Sequence, residues 1–176
     1  MSTFGERVIG AARLRVSVFE EVEADQTATM QAMAVVVLAS IAGGIGLSTT
    51  GTGLVETLNL TLASLIAWVV WAALTYVLGA RLFPEPQTSS NVGELLRTTG
   101  FSAAPGLLRV LGVVPGLGVP IYIATGIWML ASMVVAVRQA LDYESTARAI
   151  GVCFVGWLLS TLLAVAIGVL IDPTVQ

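Results

Sequence analysis

One charged side chain, Arg109, falls well inside a long apolar run of this sequence. A charge at mid-bilayer costs at least about 2.5–3.5 kcal/mol, so such a residue normally faces a counter-charge, water or a lipid headgroup. No apolar run supplies an Asp or Glu to pair with it. The acceptors within reach of the sequence are Glu94, near one end of the same segment, and the carbonyls that Pro105 frees by lacking an N–H. Two readings of Arg109 stay open. It holds a lipid phosphate, with Pro105 and Glu94 as neighbours, or it lies close enough to the outer interface to snorkel there.

The remaining reagents are few. With no histidine, the chain has no Ser–His or Cys–His nucleophilic pair, no HExxH zinc motif and no haem ligation by His. With no lysine, it has no Walker A lysine, Schiff base or lysine general base. Cys153 is the single cysteine, which excludes an internal disulfide and a Cys-based zinc site. Proton relays and cation-coupled carriers generally use buried acids, and the apolar runs hold none. The expectation is a protein that is not an enzyme, with no catalytic, cofactor-binding or metal-ligating residue and no cofactor.

The elements that position these residues follow from composition. Of 176 residues, 56% are apolar and only 11% charged, against about 25% charged in a soluble domain; mean hydropathy is +0.92. The net charge of −3 comes without a basic tract, so nucleic acid has no electrostatic footprint here. Apolar runs extend over about 30–47, 60–82, 101–117, 119–137 and 149–171, and a spanning helix needs about 17–25 such residues. Arginine placement tests the count. Arg7, Arg13 and Arg15 precede the first run, Arg81 and Arg97 follow the second, and Arg138 and Arg148 follow the fourth. All seven fall on one side only if the third run crosses, so the positive-inside rule predicts five crossings with the N-terminus cytoplasmic. The predicted fold is therefore all-α. It comprises a cytoplasmic helix in 1–26, a five-span membrane domain in 27–171 and a short extracytoplasmic tail in 172–176, in the cytoplasmic membrane.

Ahead of the first run, Phe4, Val8, Ala11, Leu14, Val18 and Val22 recur at spacings of three and four. That period predicts an amphipathic helix over Thr3–Asp25 lying in the headgroup plane, with Asp25 or Thr27 capping the first span. Its arginines come first and its carboxylates second. Either the helix packs on its own bundle, with Glu20, Glu21 and Glu23 facing Arg97, Arg138 or Arg148, or it is a docking surface for a partner. In the second case Phe4, Arg7, Val8, Arg13, Arg15, Glu20 and Glu21 carry the contact. The partners expected are membrane lipids, with a membrane or cytoplasmic protein and a further copy of the chain left open. In the first span, Ala39/Gly43, Ser40/Gly44 and Ala42/Gly46 are small-xxx-small pairs, which predict close internal helix packing.

Three stretches resemble the Yip domain family, the Rab-interacting-type five-span proteins, in its short prokaryotic branch. They are the leader running through "FEEVEADQTATMQAMAVVVLASIAGGIG", the segment "GELLRTTGFSAAPGLLRVLG", and "IWMLASMVVAVRQALDYESTARAI". Gly100-Phe101-Ser102-Ala103-Ala104-Pro105 looks like the family's Gly-Tyr-x-x-x-Pro element with Phe for Tyr. The acidic-tyrosine-glycine-proline motif of eukaryotic members is absent. The resemblance implies five spans and a cytoplasmic N-terminus. The function expected is a non-enzymatic scaffold or adaptor acting through protein contacts or membrane organisation. The alternative is a lipid- or small-solute-handling protein that uses Arg109 and the Pro-broken third span.

Overall fold

The computed structural model describes residues 2–47 and 53–171, the side chains of 163–171 excepted. The predicted outer tail and most of the first outer connection lie outside these residues. The fold is all-α: among the described residues there is no strand. Among the described residues seven α-helices run in the order α1 (Phe4–Ala12), α2 (Val16–Ala24), α3 (Ala28–Gly46), α4 (Leu54–Tyr76), α5 (Val92–Phe101), α6 (Gly118–Ala140) and α7 (Thr146–Ile171). A π-helical turn, Val77–Leu82, prolongs α4, and a 3₁₀ helix, Ala104–Val113, follows α5. Among the described residues α3, α4 with its π turn, and α6 are long and apolar enough to cross a membrane, and α7 is apolar over Thr146–Leu162.

The leader is two helices rather than the single predicted one. Thr3 and Glu6 form a capping box that starts α1. Leu14 ends it at φ 57°, where the Arg15 N–H reaches the Gly10 carbonyl and the Leu14 N–H reaches that of Ala11. This is a Schellman turn with leucine in the place glycine usually takes. A period of 3.6 runs unbroken through such a turn in the sequence, because Leu14 gives no local sign that it will adopt a left-handed backbone. α2 then runs along α6: Glu20 Oε1 accepts from Gln139 Nε2 at 3.2 Å, while the Trp128 indole donates to the Ala12 carbonyl at 2.7 Å. Those two anchors are eleven residues apart on α6, about 16 Å. The leader therefore stands alongside the bundle instead of lying across its end.

The third run also starts earlier than predicted. Asn91 and Glu94 make a capping box at the head of α5, and the chain changes from α to 3₁₀ after Phe101. Pro105 sits in the first turn of the 3₁₀ helix, where its missing N–H costs no bond. Together the two pieces extend about 35 Å, nearly parallel to α3. Hydropathy under-reads α5 because its interior is polar: Arg97, Thr98 and Thr99 are all buried. The threonine hydroxyls bond to carbonyls one turn back, Thr98 to Glu94 at 3.0 Å and Thr99 to Leu95 at 2.5 Å.

Two buried apolar clusters hold the bundle at the end where the predicted cytoplasmic loops lie. One joins Phe19 and Val22 of α2 to Ala32 and Val35 of α3, Phe101 and Ala136. The other joins Ala72, Leu78, Leu95, Val137, Leu141 and Ala149. Tyr143 locks the second by donating to the Gly79 and Phe83 carbonyls at 2.9 and 2.8 Å. Toward the opposite end, α3 meets the 3₁₀ helix backbone to backbone. A Cβ on Gly112 would stand 3.0 Å from the Gly46 carbonyl oxygen, and one on Gly46 would overlap the Arg109 carbonyl. The small-residue face of α3 thus serves internal packing.

Gly46→Ala must push apart a pair of touching backbones, so a loss of at least about 1–3 kcal/mol is expected, read as a lower unfolding temperature in detergent. Arg7 is 2% exposed and paired to Glu21 and Asp25. Arg7→Ala removes the cation that both carboxylates share, so a lower unfolding temperature in detergent is expected. Limited proteolysis should then cut within residues 2–24 faster than in the parent.

Candidate functional site

A cavity of about 840 Å³ lies between α3, α4, the 3₁₀ helix and α6. It follows α3 from Val36 to Leu47, about 16 Å. Its wall is mostly apolar, with Val36, Ile66 and Val70 among the side chains. Arg109 stands toward one end. Its Nε donates to Thr125 Oγ1 at 3.2 Å, and its guanidinium carbon lies 5.0 Å from the centre of the Tyr122 ring, a cation–π distance. The Tyr122 hydroxyl in turn donates to the Gly43 carbonyl. Among the described residues no carboxylate pairs with Arg109, and neither Nη group has a protein acceptor. Farther along the wall, the Trp71 indole N–H and the Ser160 hydroxyl are buried with no partner among the described residues.

Of the residues singled out around Arg109, Pro105 is buried at the α-to-3₁₀ junction. It sets the direction of the segment rather than offering free carbonyls to the guanidinium. Glu94 lies with Asn91 at the start of α5, bonded to the Asn91 backbone N–H at 2.9 Å. That is about 25 Å along the chain path from Arg109, so the sequence's candidate pair does not meet. Tyr122 and Thr125, which do meet Arg109, were not anticipated. A signal for them exists: Tyr122, Thr125 and Ser132 recur on one side of an otherwise apolar helix, and Thr125 and Ser132 are buried. That spacing marks an inward polar stripe.

The leader residues divide into two groups. Arg7 points inward, to Glu21 Oε1 at 2.9 Å, Asp25 Oδ2 at 2.8 Å and Gln31 Oε1 at 3.0 Å. Val8 is half-buried against the first cluster, and Phe4 meets the Phe101 ring edge-on with centroids 6.4 Å apart. Arg13, Arg15 and Glu20 are exposed. The expected pairing of Glu20, Glu21 and Glu23 with Arg97, Arg138 and Arg148 is replaced by other contacts. Arg97 donates to the Val22 and Glu23 carbonyls, Arg138 to those of Tyr143 and Glu144, and Arg148 pairs with Glu85 at 3.3 Å. Arginine's five donors favour such convergent carbonyls as readily as a carboxylate. The Asp25 side chain, not that of Thr27, makes the turn before α3, accepting from the Thr27 N–H at 2.9 Å.

Electrostatics at this end have two signs. Bonds from Ser2 and then Arg7 hold Glu21 down to about 2, and bonds from Thr27 and Arg7 do the same for Asp25. Burial, reinforced by Asp142, Glu94 and Glu20, pushes Glu23 up to about 7 against the pull of Arg97. Among the described residues no group of side chains is arranged to hold a metal ion.

Compared with known proteins, residues 15–168 match the model of the Yip1 domain. The matched stretch includes Gly100–Pro105, in which Gly100 abuts Ala32 and Trp68 and Phe101 is fully buried. No curated protein and no solved structure gives a significant match.

The two signs predict a stability optimum between them. Glu21 and Asp25 contribute fully above about pH 4.5 and lose their contribution as pH falls toward 2. Glu23 binds its proton more tightly folded than unfolded, so stability falls as pH rises through 4.5 to about 7. Thermal unfolding in detergent should therefore be highest near pH 5. Glu23→Gln should raise the unfolding temperature at pH 8 and leave it unchanged at pH 5.

Proposed function

The chain belongs to the Yip1 domain family of membrane proteins, and on that premise we propose that it is a non-enzymatic scaffold acting on membrane organisation through its leader hairpin. In this reading the bundle crosses the cytoplasmic membrane five times, with the N-terminus inside and the C-terminus outside. The crossings are α3, α4, the α5–3₁₀ segment, α6 and α7, which keeps Arg7, Arg81, Arg97, Arg138 and Arg148 toward the cytoplasmic side.

The Trp128–Ala12 bond carries the proposal. Trp128 is ten residues into α6 and twelve from its cytoplasmic end, about 18 Å from that end. The turn that joins α1 to α2 therefore lies at mid-membrane level, and the hairpin occupies the inner leaflet beside α6. Its outward side suits lipid: Ile9 and Val16 are both exposed. Its tip does not, because Arg13 and Arg15 are exposed with no ion-pair partner among the described residues. At that depth each guanidinium costs about 2.5–3.5 kcal/mol unless water and headgroups follow it inward. A thinned inner leaflet around the hairpin relieves that cost. The hairpin then acts as a one-sided wedge, held rigid by Arg7 and Arg97.

Site-directed labelling tests this. With Cys153 replaced by alanine, Arg13→Cys and Ile127→Cys sit at the same height, one at the hairpin tip and one on the exposed surface of α6. In membrane vesicles with the cytoplasmic side outward, a water-soluble maleimide should label position 13 and spare position 127. Proteoliposomes of the parent should contain more small, highly curved vesicles than those of the Arg13→Leu/Arg15→Leu variant. Equal remodelling by both would sink the wedge. A stoichiometric protein partner lost on deleting residues 3–25, in its place, would make the protein an adaptor working through contacts.

A further inference from the structure

We propose that the cavity along α3 is a binding site for one anionic lipid, with its phosphate on Arg109 and an acyl chain lying between α3 and α4. The assignment goes beyond the scaffold reading and rests on different residues. A cation in a mostly apolar wall needs a counter-charge, and the described residues provide none: the guanidinium has Thr125 and the face of Tyr122 and no carboxylate. Thr125 takes only Nε. Among the described residues neither Nη group has an acceptor, and a guanidinium fork matches two oxygens of one phosphate.

The surroundings hold that fork in one orientation. Tyr122 is fixed by its bond to the Gly43 carbonyl. Arg109 is fixed through its backbone, because its carbonyl is wedged against Gly46. Beyond the cation, which stands beside Gly43, the mostly apolar wall continues for about 10 Å along α3 to Val36, room for part of an acyl chain. A zwitterionic lipid offers the same phosphate, but its ammonium would be brought against the guanidinium. A lipid of net negative charge is therefore the occupant selected. Free phosphate shares the headgroup chemistry and lacks the chain.

The test uses the full chain reconstituted in nanodiscs containing phosphatidylglycerol or phosphatidylcholine, released into mild detergent and weighed by native mass spectrometry. The parent should retain one phosphatidylglycerol per chain and little phosphatidylcholine. Arg109→Leu should reduce retention about 10- to 100-fold, the range for losing a charge-assisted bond. Arg109→Lys, which keeps the charge and loses the fork, should fall between. Ala67→Phe narrows the cavity from its exposed wall without touching Arg109 and should also expel the lipid, which covers the case in which Arg109→Leu fails to fold. Inorganic phosphate added at millimolar concentration should not displace the lipid from the parent. Unchanged retention in Arg109→Leu or in Ala67→Phe would overturn the proposal. So would equal retention of the two lipids, or displacement by phosphate alone, the second meaning a site for free anions.

Discussion

A guanidinium removed from water must find its acceptors inside the protein, and Arg7 finds Glu21, Asp25 and Gln31. This cluster fixes how the chain enters the bundle. It ties α1 to the end of α2 and the start of α3, so the turn between α1 and α2 has to point away from that end. The apolar side of α2 then meets α5 and α6, and Phe19 and Val22 complete the first core. Arg97 works to the same effect from α5, holding the last carbonyls of α2. Those carbonyls have no intrahelical partner and need one. The leader thus belongs to the folded body, and what it presents outward is set by two buried cations.

Packing is unequal between the two ends of the bundle. Both buried clusters sit toward the leader and the 83–91 and 141–145 connections, where Tyr143, Arg148 and Glu85 tie α4, α6 and α7 together. Toward the other end the contacts are backbone to backbone, Gly46 against Arg109 and Gly112. Glycine contact brings two helices close but provides no side chains to fill the space beside them. A cavity next to the tightest helix pair follows from that geometry. Arg109 enters it because the 3₁₀ helix, with three residues per turn, sets the angular positions of its side chains differently from a continued α-helix. Pro105 and the Ser102–Ala103 break produce that change, and so decide which way the cation points.

Much of this protein was legible in the sequence because the signal was additive along the chain. Apolar runs and the placement of eight arginines need no knowledge of contacts, and they led to an all-α membrane protein. Three stretches, Gly100–Pro105 within one of them, pointed to the family that residues 15–168 match. The sequence showed that no apolar run holds a carboxylate for Arg109, but it left Glu94 as a partner that the structure places at the start of α5. The start of α5 was not legible, because Arg97, Thr98 and Thr99 read as a polar connection. Their burial depends on carbonyls of α2 and of their own helix, which are invisible as residue types. The break in the leader was hidden for a related reason: Leu14 preserves the apolar period while its backbone turns left-handed.

The sequence by itself determined what the chain is dissolved in and which chemistries it lacks, because both depend on counts of apolar, acidic and basic side chains. The tertiary structure alone decided which of its arginines are satisfied. Arg7 stands in a charged leader and Arg109 in an apolar run, and neither setting says which groups will meet the cation. One lies beside two carboxylates brought from 14 and 18 residues away; the other lies over a tyrosine ring with its Nη groups unclaimed. Coulomb energy depends on separation in space, and a helical bundle sets that separation by which faces it packs together.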